Sequence, residues 1–234
     1  HIDKSIDTSC CYGDLSAFLL INTPLIARMF TTPNKKIGLM PDFEYKIEQV
    51  SKLIARQNVV SFSGVPSWNL ILMRKVLEIT GKNNLSELWP NMELFMHGGV
   101  SFEPYRIHYK TLFPSPNMHY LETYNASEGF FAFQTDLNDP GLQLLPNVSV
   151  FYEFIPLDKL EAAQNGSYTR FLTMDNVEKD KPYAMVISTN SGLWRYLIGD
   201  TVLFTDLYPH KIRITGRTRL FINTFGEELM IENA

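Results

Sequence analysis

The first 140 residues alternate between two hydrophobic patterns, one typical of amphipathic helices and one of short buried strands. Apolar positions repeat every three or four residues after Pro41 and again after Pro66, which predicts two helices, the second ended by Gly81. A third helix is predicted at 102–113. Unbroken apolar runs predict strands at 59–62, 92–97, 118–124 and 129–135. This alternation predicts a mostly parallel sheet flanked by helices, and therefore an α/β fold.

Beyond Pro140 the pattern changes to strand-like runs joined by turns, with one short helix at 157–164. The strands are predicted at 148–156, 183–190, 201–206 and 211–216, as an antiparallel sheet or partial barrel. We therefore divide the chain into an α/β part at 1–140, a β-rich subdomain at 141–217, and a third unit that begins at 218–234 with a helix at 226–234. Because the chain starts in loop-like sequence and stops inside that helix, we expect it to be an internal fragment of a longer polypeptide.

Composition narrows the possible functions. The 234 residues are 45% hydrophobic and 20% charged, with a formal net charge of −4, so no basic surface indicates a nucleic-acid partner. No apolar run is long enough for a membrane span, and no membrane partner is expected. The two cysteines are adjacent, which fits a reducing cytoplasm. The five histidines lack the spacing of metal ligands.

The segment TYNASEG at 123–129 lies between two predicted strands and places an aromatic ring, a hydroxyl and a carboxylate on one tight turn. Tyr124 could cover a purine, Ser127 could donate to a phosphate, and Glu128 could hold Mg²⁺. These three tasks together indicate a nucleotide site. Taken alone, the segment is better explained as a β-turn with a buried tyrosine and a capping Ser-Glu pair.

Three further segments carry candidate chemistry, each with a simpler explanation. Asp200, after Gly199, could accept both hydroxyls of a ribose, or could be an ordinary turn aspartate, and the nearby Arg195 could simply pair with an acidic neighbour. Arg217, after Gly216, could reach a ribose or phosphate oxygen, or lie exposed on a hairpin. Gly98 and Gly99 could let the backbone approach a flat ligand, or could form a tight turn.

In order, HGGVSF, TYNASEG, GLWRYLIGD and TGRTRLFINTFGEEL resemble motifs of the acyl-acid amido synthetases, the auxin-responsive family within the adenylate-forming superfamily. The resemblance covers nearly the whole chain, and the wording of the motifs is more similar to the bacterial branch. It implies ATP-dependent activation of a carboxylic acid as an acyl-adenylate, followed by transfer to the amine of an amino acid. Leu197 stands where the family more often has arginine.

The resemblance also implies roles for individual residues. Tyr124 would stack on adenine, Ser127 would contact the α-phosphate, and Glu128 would bind Mg²⁺. Gly98 and Gly99 would line the adenine edge, while Asp200 would hold the ribose hydroxyls with help from Arg217. The segment after Arg217 would be a hinge for a small C-terminal domain.

The family's Ser/Thr/Gly-rich phosphate loop and its C-terminal domain are expected outside this chain, so the fragment by itself should be inactive. A hydrophobic acid could bind near Val65, Trp68 and Phe102, although these side chains fit a core better. Two alternatives stay open: a ligase that passes the same adenylate to CoA, and a nucleotide-binding module without catalysis.

Overall fold

The computed structural model describes the backbone of residues 2–4, 11–218, 221–224 and 227–230, and the side chains of residues 13–218. The chain divides into two compact units, His1–Leu121 and Glu122–Ala234. Among the described residues, no helix combines the length and the apolar composition needed to cross a bilayer.

The N-terminal unit is built from helices and short strands. Its helices are α1 (Leu15–Asn22), α2 (Lys35–Gly38), α3 (Phe43–Ile54), α4 (Pro66–Thr80) and α5 (Arg106–Leu112), with single 3₁₀ turns at Ala27–Met29, Leu85–Glu87 and Glu103–Tyr105. Its strands are β1 (Ile2–Lys4), β2 (Cys11–Gly13), β3 (Ser61–Gly64) and β4 (Leu94–His97). β1 and β2 pair antiparallel, whereas β3 and β4 pair in parallel, as the α/β pattern predicts.

Capping residues set the ends of the two long helices. The Asp42 side chain accepts a hydrogen bond from the backbone N–H of Tyr45 at 2.7 Å, which satisfies an otherwise unpaired donor at the start of α3. Gly81 ends α4 at φ 65°, a left-handed conformation that favours glycine. Both helices therefore lie close to where the sequence places them.

An aromatic stack forms the core of this unit. The Phe95 ring lies 4.3 Å from Phe62 and 4.8 Å from Tyr109, measured between ring centroids. Two polar groups in the core have partners: the Trp89 indole donates to the Ile54 carbonyl, and the Tyr109 hydroxyl donates to the Pro66 carbonyl. Phe102 is buried here, and Trp68 is 42% exposed.

The C-terminal unit contains an antiparallel sheet with the strand order β5-β6-β7-β11-β10-β9-β8. Its strands are β5 (His119–Ala126, beginning just before the division), β6 (Gly129–Gln134), β7 (Leu142–Leu144), β8 (Val150–Pro156), β9 (Pro182–Thr189), β10 (Tyr196–Leu207) and β11 (His210–Arg217). A 3₁₀ turn (Leu157–Lys159) leads into the short helix α6 (Leu160–Gln164), and another follows at Met174–Asn176. Phe131, Phe154, Met185, Phe204 and Ile212 are fully buried in its core.

The structure confirms the α/β class and the β-rich second part, and it changes three details. β5 and β6 form an antiparallel hairpin, because the two-residue connection 127–128 is too short for a parallel crossover. Asp200 lies inside β10 rather than at the start of a strand. The helix predicted at 226–234 is wrong over Glu227–Met230, which is the strand β13 paired with β12 (Phe221–Thr224); residues 231–234 lie outside the described residues.

The compact units divide at Leu121, whereas in the sequence the change from alternating helices and strands to strands joined by turns comes at 140. The division into parts at 1–140, 141–217 and 218–234 stays a prediction. The hinge expected after Arg217 falls mainly on residues whose side chains lie outside the described part of the chain.

Candidate functional site

The turn of the β5–β6 hairpin carries two of the predicted site residues. Ala126 pairs with Gly129, so Ser127 and Glu128 are the two residues of the connection. Ser127 is exposed and Glu128 is half-buried. A two-residue loop between paired strands is short and well defined, so both side chains are presented at one end of the hairpin.

Tyr124 is placed by a β-bulge just before this turn. The register shifts between Tyr124 and Asn125, so that Tyr124 pairs with Ala132 while Asn125 pairs with Phe130. A bulge turns the bulged strand and redirects its side chains. Tyr124 is only 4% exposed, and its ring lies 5.1 Å from Phe131 at an angle of 60°. The stacking on adenine that the resemblance implies stays a prediction.

A second irregularity places Asp200. Leu197 pairs with Val186 and Thr201 with Ala184, so β10 has two more residues than β9 between these pairs. Gly199 lies in this segment at φ 91°, a conformation that an L side chain rarely adopts. The backbone N–H of Thr218 donates to the Gly199 carbonyl at 2.7 Å, which ties this point to the end of β11.

Asp200 joins residues from three strands. The Tyr124 hydroxyl donates to Asp200 Oδ2 at 2.7 Å, and Arg217 Nε lies 3.2 Å from Asp200 Oδ1. Asp200 and Arg217 are also directly paired in the β10–β11 ladder. The Asp200 side chain is 14% exposed and that of Arg217 is 38% exposed. Three of the predicted site residues therefore form one cluster, joined by a hydrogen bond and an ion pair.

The electrostatics of the cluster keep Tyr124 protonated. Burial raises the pKa of the Tyr124 phenol well above its usual range, and the Asp200 carboxylate, which would repel a tyrosinate, raises it further. Tyr124 is consequently a hydrogen-bond donor at any ordinary pH. The partners of the Asp200 carboxylate thus include one neutral phenol and one cationic guanidinium.

Glu128 lies beside Tyr196, the first residue of β10. The pKa of the Tyr196 phenol is raised, first by the negative charge of Glu128 and then by hydrogen bonding between the two side chains. Glu128 also contributes to the raised pKa of Tyr124, so its carboxylate is close to the Asp200 cluster. Tyr196 was not predicted as a site residue, because the sequence places the strand at 201–206, whereas β10 already begins at Tyr196.

Gly98 and Gly99 belong to the N-terminal unit, where they follow β4. Gly99 has φ 82°, and a Cβ there would lie 3.3 Å from Val65 Cγ2. The tight-turn explanation accounts for this glycine. That Gly98 and Gly99 line the adenine edge stays a prediction.

The donor set of the C-terminal unit fits a nucleotide with Mg²⁺. A carboxylate offers about four acceptor positions, so Asp200 can accept ribose hydroxyls beside its protein partners. Mg²⁺ is commonly held by one or two carboxylates together with phosphate oxygens and water, a mode that Glu128 alone can serve. No cluster of three or more His, Cys, Asp or Glu side chains suited to a metal occurs among the described residues.

Sequence reasoning missed one charged residue that the structure pairs. Glu153 lies in β8, and its side chain is only 8% exposed and bound by Arg195. The signal was a single carboxylate inside the apolar run VFYEFIP, because a charge buried in a strand needs a partner. The simpler explanation of Arg195, pairing with an acidic neighbour, is the one the structure shows.

Comparison with known proteins identifies the family. Residues 2–118, half of the chain, match the GH3 family N-terminal domain, and residues 143–217 match the GH3 family central domain. A jasmonoyl-L-amino acid synthetase, GH3.5 of Oryza sativa subsp. japonica, is 34% identical over 49% of this chain and 22% of its own length. The 4-substituted benzoates-glutamate ligase GH3.12 of Arabidopsis thaliana is 28% identical over 54% of this chain and 22% of its own length. The chain thus spans less than a quarter of these relatives.

Solved structures share the fold. The GH3.15 acyl acid amido synthetase matches with a TM-score of 0.62 at 15% identity, over 84% of this chain and 44% of that protein. A 2-hydroxyisobutyryl-CoA ligase matches with a TM-score of 0.57 at 13% identity, over 80% of this chain and 39% of that protein. The resemblance noted from the motifs is thereby confirmed, while the bacterial origin stays a prediction. On the two domain matches, which follow one another along the sequence, this chain belongs to the GH3 family.

Proposed function

We propose that the protein containing this chain is an ATP-dependent ligase that activates a carboxylic acid as an acyl-adenylate and passes the acyl group to the amine of an amino acid. The cluster of Asp200 with Tyr124 and Arg217 is the observation that carries this proposal. It offers a carboxylate that is mostly buried and held by two protein partners, which suits the binding of ribose hydroxyls. Membership of the GH3 family, whose named relatives are amido synthetases and ligases, supports the choice of reaction.

In the first step, formation of the acyl-adenylate, several residues of the C-terminal unit would have separate roles. Asp200 would bind the ribose hydroxyls, with Arg217 orienting that carboxylate through their ion pair. Glu128 would hold Mg²⁺, which neutralises phosphate charge as the substrate carboxylate approaches, and Ser127 would donate to the α-phosphate. The carboxylate oxygen forms a bond to the α-phosphorus, and the bond to the leaving pyrophosphate breaks.

In the second step the neutral amine attacks the acyl carbonyl, a C–N bond forms, and AMP leaves with the former carboxylate oxygen. The amine loses one proton to solvent. Little acid-base help is needed when the amine arrives unprotonated, which agrees with the lack of an evident general base in the sequence. A small-molecule acid and an amino acid are thus the proposed partners, with ATP and Mg²⁺, in the cytoplasm.

Exchange of labelled pyrophosphate into ATP, measured in the full-length protein with a panel of carboxylic acids, tests the first step. Glu128→Ala should lower acid-dependent exchange roughly 100-fold or more, since it removes the proposed metal ligand. Glu161→Ala, which removes an exposed carboxylate on α6, is the matched control and should exchange like the unaltered protein. Normal exchange by Glu128→Ala would remove that residue from the mechanism.

The same preparation separates the competing acceptors. We expect an amide product with a mixture of amino acids, identified by mass, and no thioester with CoA. A CoA ligase shares this fold, so thioester formation is the alternative that the experiment must distinguish from amide formation. Thioester formation would replace the amide assignment, and the lack of exchange with every acid would favour a nucleotide-binding module.

A further inference from the structure

Arg195 and Glu153 form a doubly hydrogen-bonded ion pair just ahead of β10. Arg195 Nε donates to Glu153 Oε2 at 3.0 Å, and Arg195 Nη2 donates to Oε1 at 2.8 Å. The guanidinium carbon also lies 5.0 Å from the centre of the Phe171 ring. Two hydrogen bonds from one guanidinium to one carboxylate form a fork, which fixes both the position and the angle of the arginine side chain. A single contact would fix only a distance.

The backbone of Arg195 is held as firmly as its side chain. Its φ of 46° is left-handed, which is uncommon for a residue other than glycine. Its backbone N–H donates to Ser188 Oγ at 3.0 Å. A conformation of this kind persists only where the surroundings determine it, and such positions concentrate at functional sites.

The pair matters for Asp200 because that residue lies where the register of β10 against β9 shifts. The shift falls between Leu197 and Thr201, so the position of Asp200 is not set by regular pairing with β9 alone. On the β9 side, its placement therefore depends on the ends of this irregular segment. Arg195 precedes Tyr196, the residue beside Glu128, and lies five positions before Asp200.

Stability alone does not account for a charge pair here. Glu153 is buried, but the Arg195 side chain is 60% exposed, and an ion pair with a solvent-exposed partner usually contributes little to stability. The directional geometry is what an apolar contact could not supply. This favours a role in positioning over a role in holding the sheet together.

We propose that Arg195 and Glu153 are positioning residues that hold the start of β10 so that Asp200 meets the bound nucleotide. The proposal rests on the nucleotide site of the proposed function. Neither residue needs to contact the substrate, because both act by setting the backbone position of β10.

The test uses the full-length protein with both charges removed together, as Arg195→Met with Glu153→Leu. AMP affinity is measured by calorimetry, and the thermal midpoint is measured alongside. We expect AMP to bind about tenfold more weakly, the scale of one displaced hydrogen-bonding group, while the thermal midpoint stays close to that of the unaltered protein. The KM for ATP should rise correspondingly.

Two comparisons isolate the effect. Asp139→Asn with Lys211→Met removes another part-buried ion pair of the same sheet, 2.6 Å long, and should leave AMP affinity unchanged. Arg195→Lys keeps a cation for Glu153 but loses the fork, so it should weaken AMP binding in the same direction and by less. It also covers the case in which the double variant does not fold.

The outcomes are distinct. AMP affinity within twofold of the unaltered protein in Arg195→Lys and in the folded double variant would overturn the positioning role while leaving the proposed function intact. If the unaltered protein fails to bind AMP, the proposed function falls and this inference falls with it.

Discussion

The hydrogen bond between Tyr124 and Asp200 is the central contact of the candidate site at the scale of single residues. A buried phenol donating to a carboxylate is a charge-assisted bond, stronger than one between neutral groups. Tyr124→Phe should therefore lower the free energy of unfolding by about 1.5–3 kcal/mol, measured by urea titration. The ring is kept, so any contact of the ring with a nucleotide should persist.

Tyr152→Phe is the matched comparison for this tyrosine. Its hydroxyl donates to the neutral Leu145 carbonyl at 3.2 Å, from a side chain that is similarly buried in the same sheet. We expect this change to cost only about 1 kcal/mol. Equal losses in the two variants would show that the Asp200 contact adds nothing to stability.

At the scale of elements, irregular strands place the side chains of the candidate site. Tyr124 lies at a bulge between β5 and β6, and Asp200 lies where β10 departs from the register of β9. In a regular strand successive side chains face opposite sides of the sheet, whereas a bulge changes the direction of the side chains beside it. The site is thus built where the ladders are interrupted, with Gly199 supplying the necessary backbone.

Gly199→Ala tests that dependence. The Cβ would have room, since its nearest neighbours outside the adjacent residues lie 3.9 Å and 4.0 Å away, so the expected cost of about 1–2 kcal/mol comes from φ 91°. Relief of that strain would shift Asp200, and AMP affinity measured by calorimetry should fall severalfold. Gly166→Ala, at φ 81° with nothing within 4 Å, should cost similar stability without changing AMP affinity. Equal AMP affinity in both variants would show that the backbone conformation of Gly199 is not needed for AMP binding.

The sequence predicted the elements better than their departures from regularity. Hydrophobic runs located the strands around Tyr124 and Glu153, because burial of apolar side chains is a local pattern. The bulges depend on which strands pair, and Asp200 meets Tyr124 across 76 positions of sequence, so local patterns contain neither fact. The motifs did indicate Tyr124, Asp200 and Arg217 together, through resemblance rather than through periodicity.

At the scale of the whole molecule, the stability of the fold depends on pH through one buried histidine. His97 is 3% exposed, and its ring is stacked on Phe102 at 4.1 Å. Burial, the larger cause, and the nearby Arg106 charge together lower the pKa of His97 to about 4. In the unfolded chain a histidine has a pKa of about 6.5.

Between these two pKa values the unfolded chain binds more protons than the folded one, so the free energy of unfolding falls as the pH drops from about 6.5 to about 4. The loss contributed by His97 should be on the order of 2 kcal/mol, a figure reduced for solvent screening. His97→Gln should flatten this acid limb in urea titrations at a series of pH values, since glutamine does not titrate. His119→Gln, at an exposed position, should leave the limb as it is. An unchanged slope in His97→Gln would mean that the acid sensitivity of the fold arises from its carboxylates and not from this histidine.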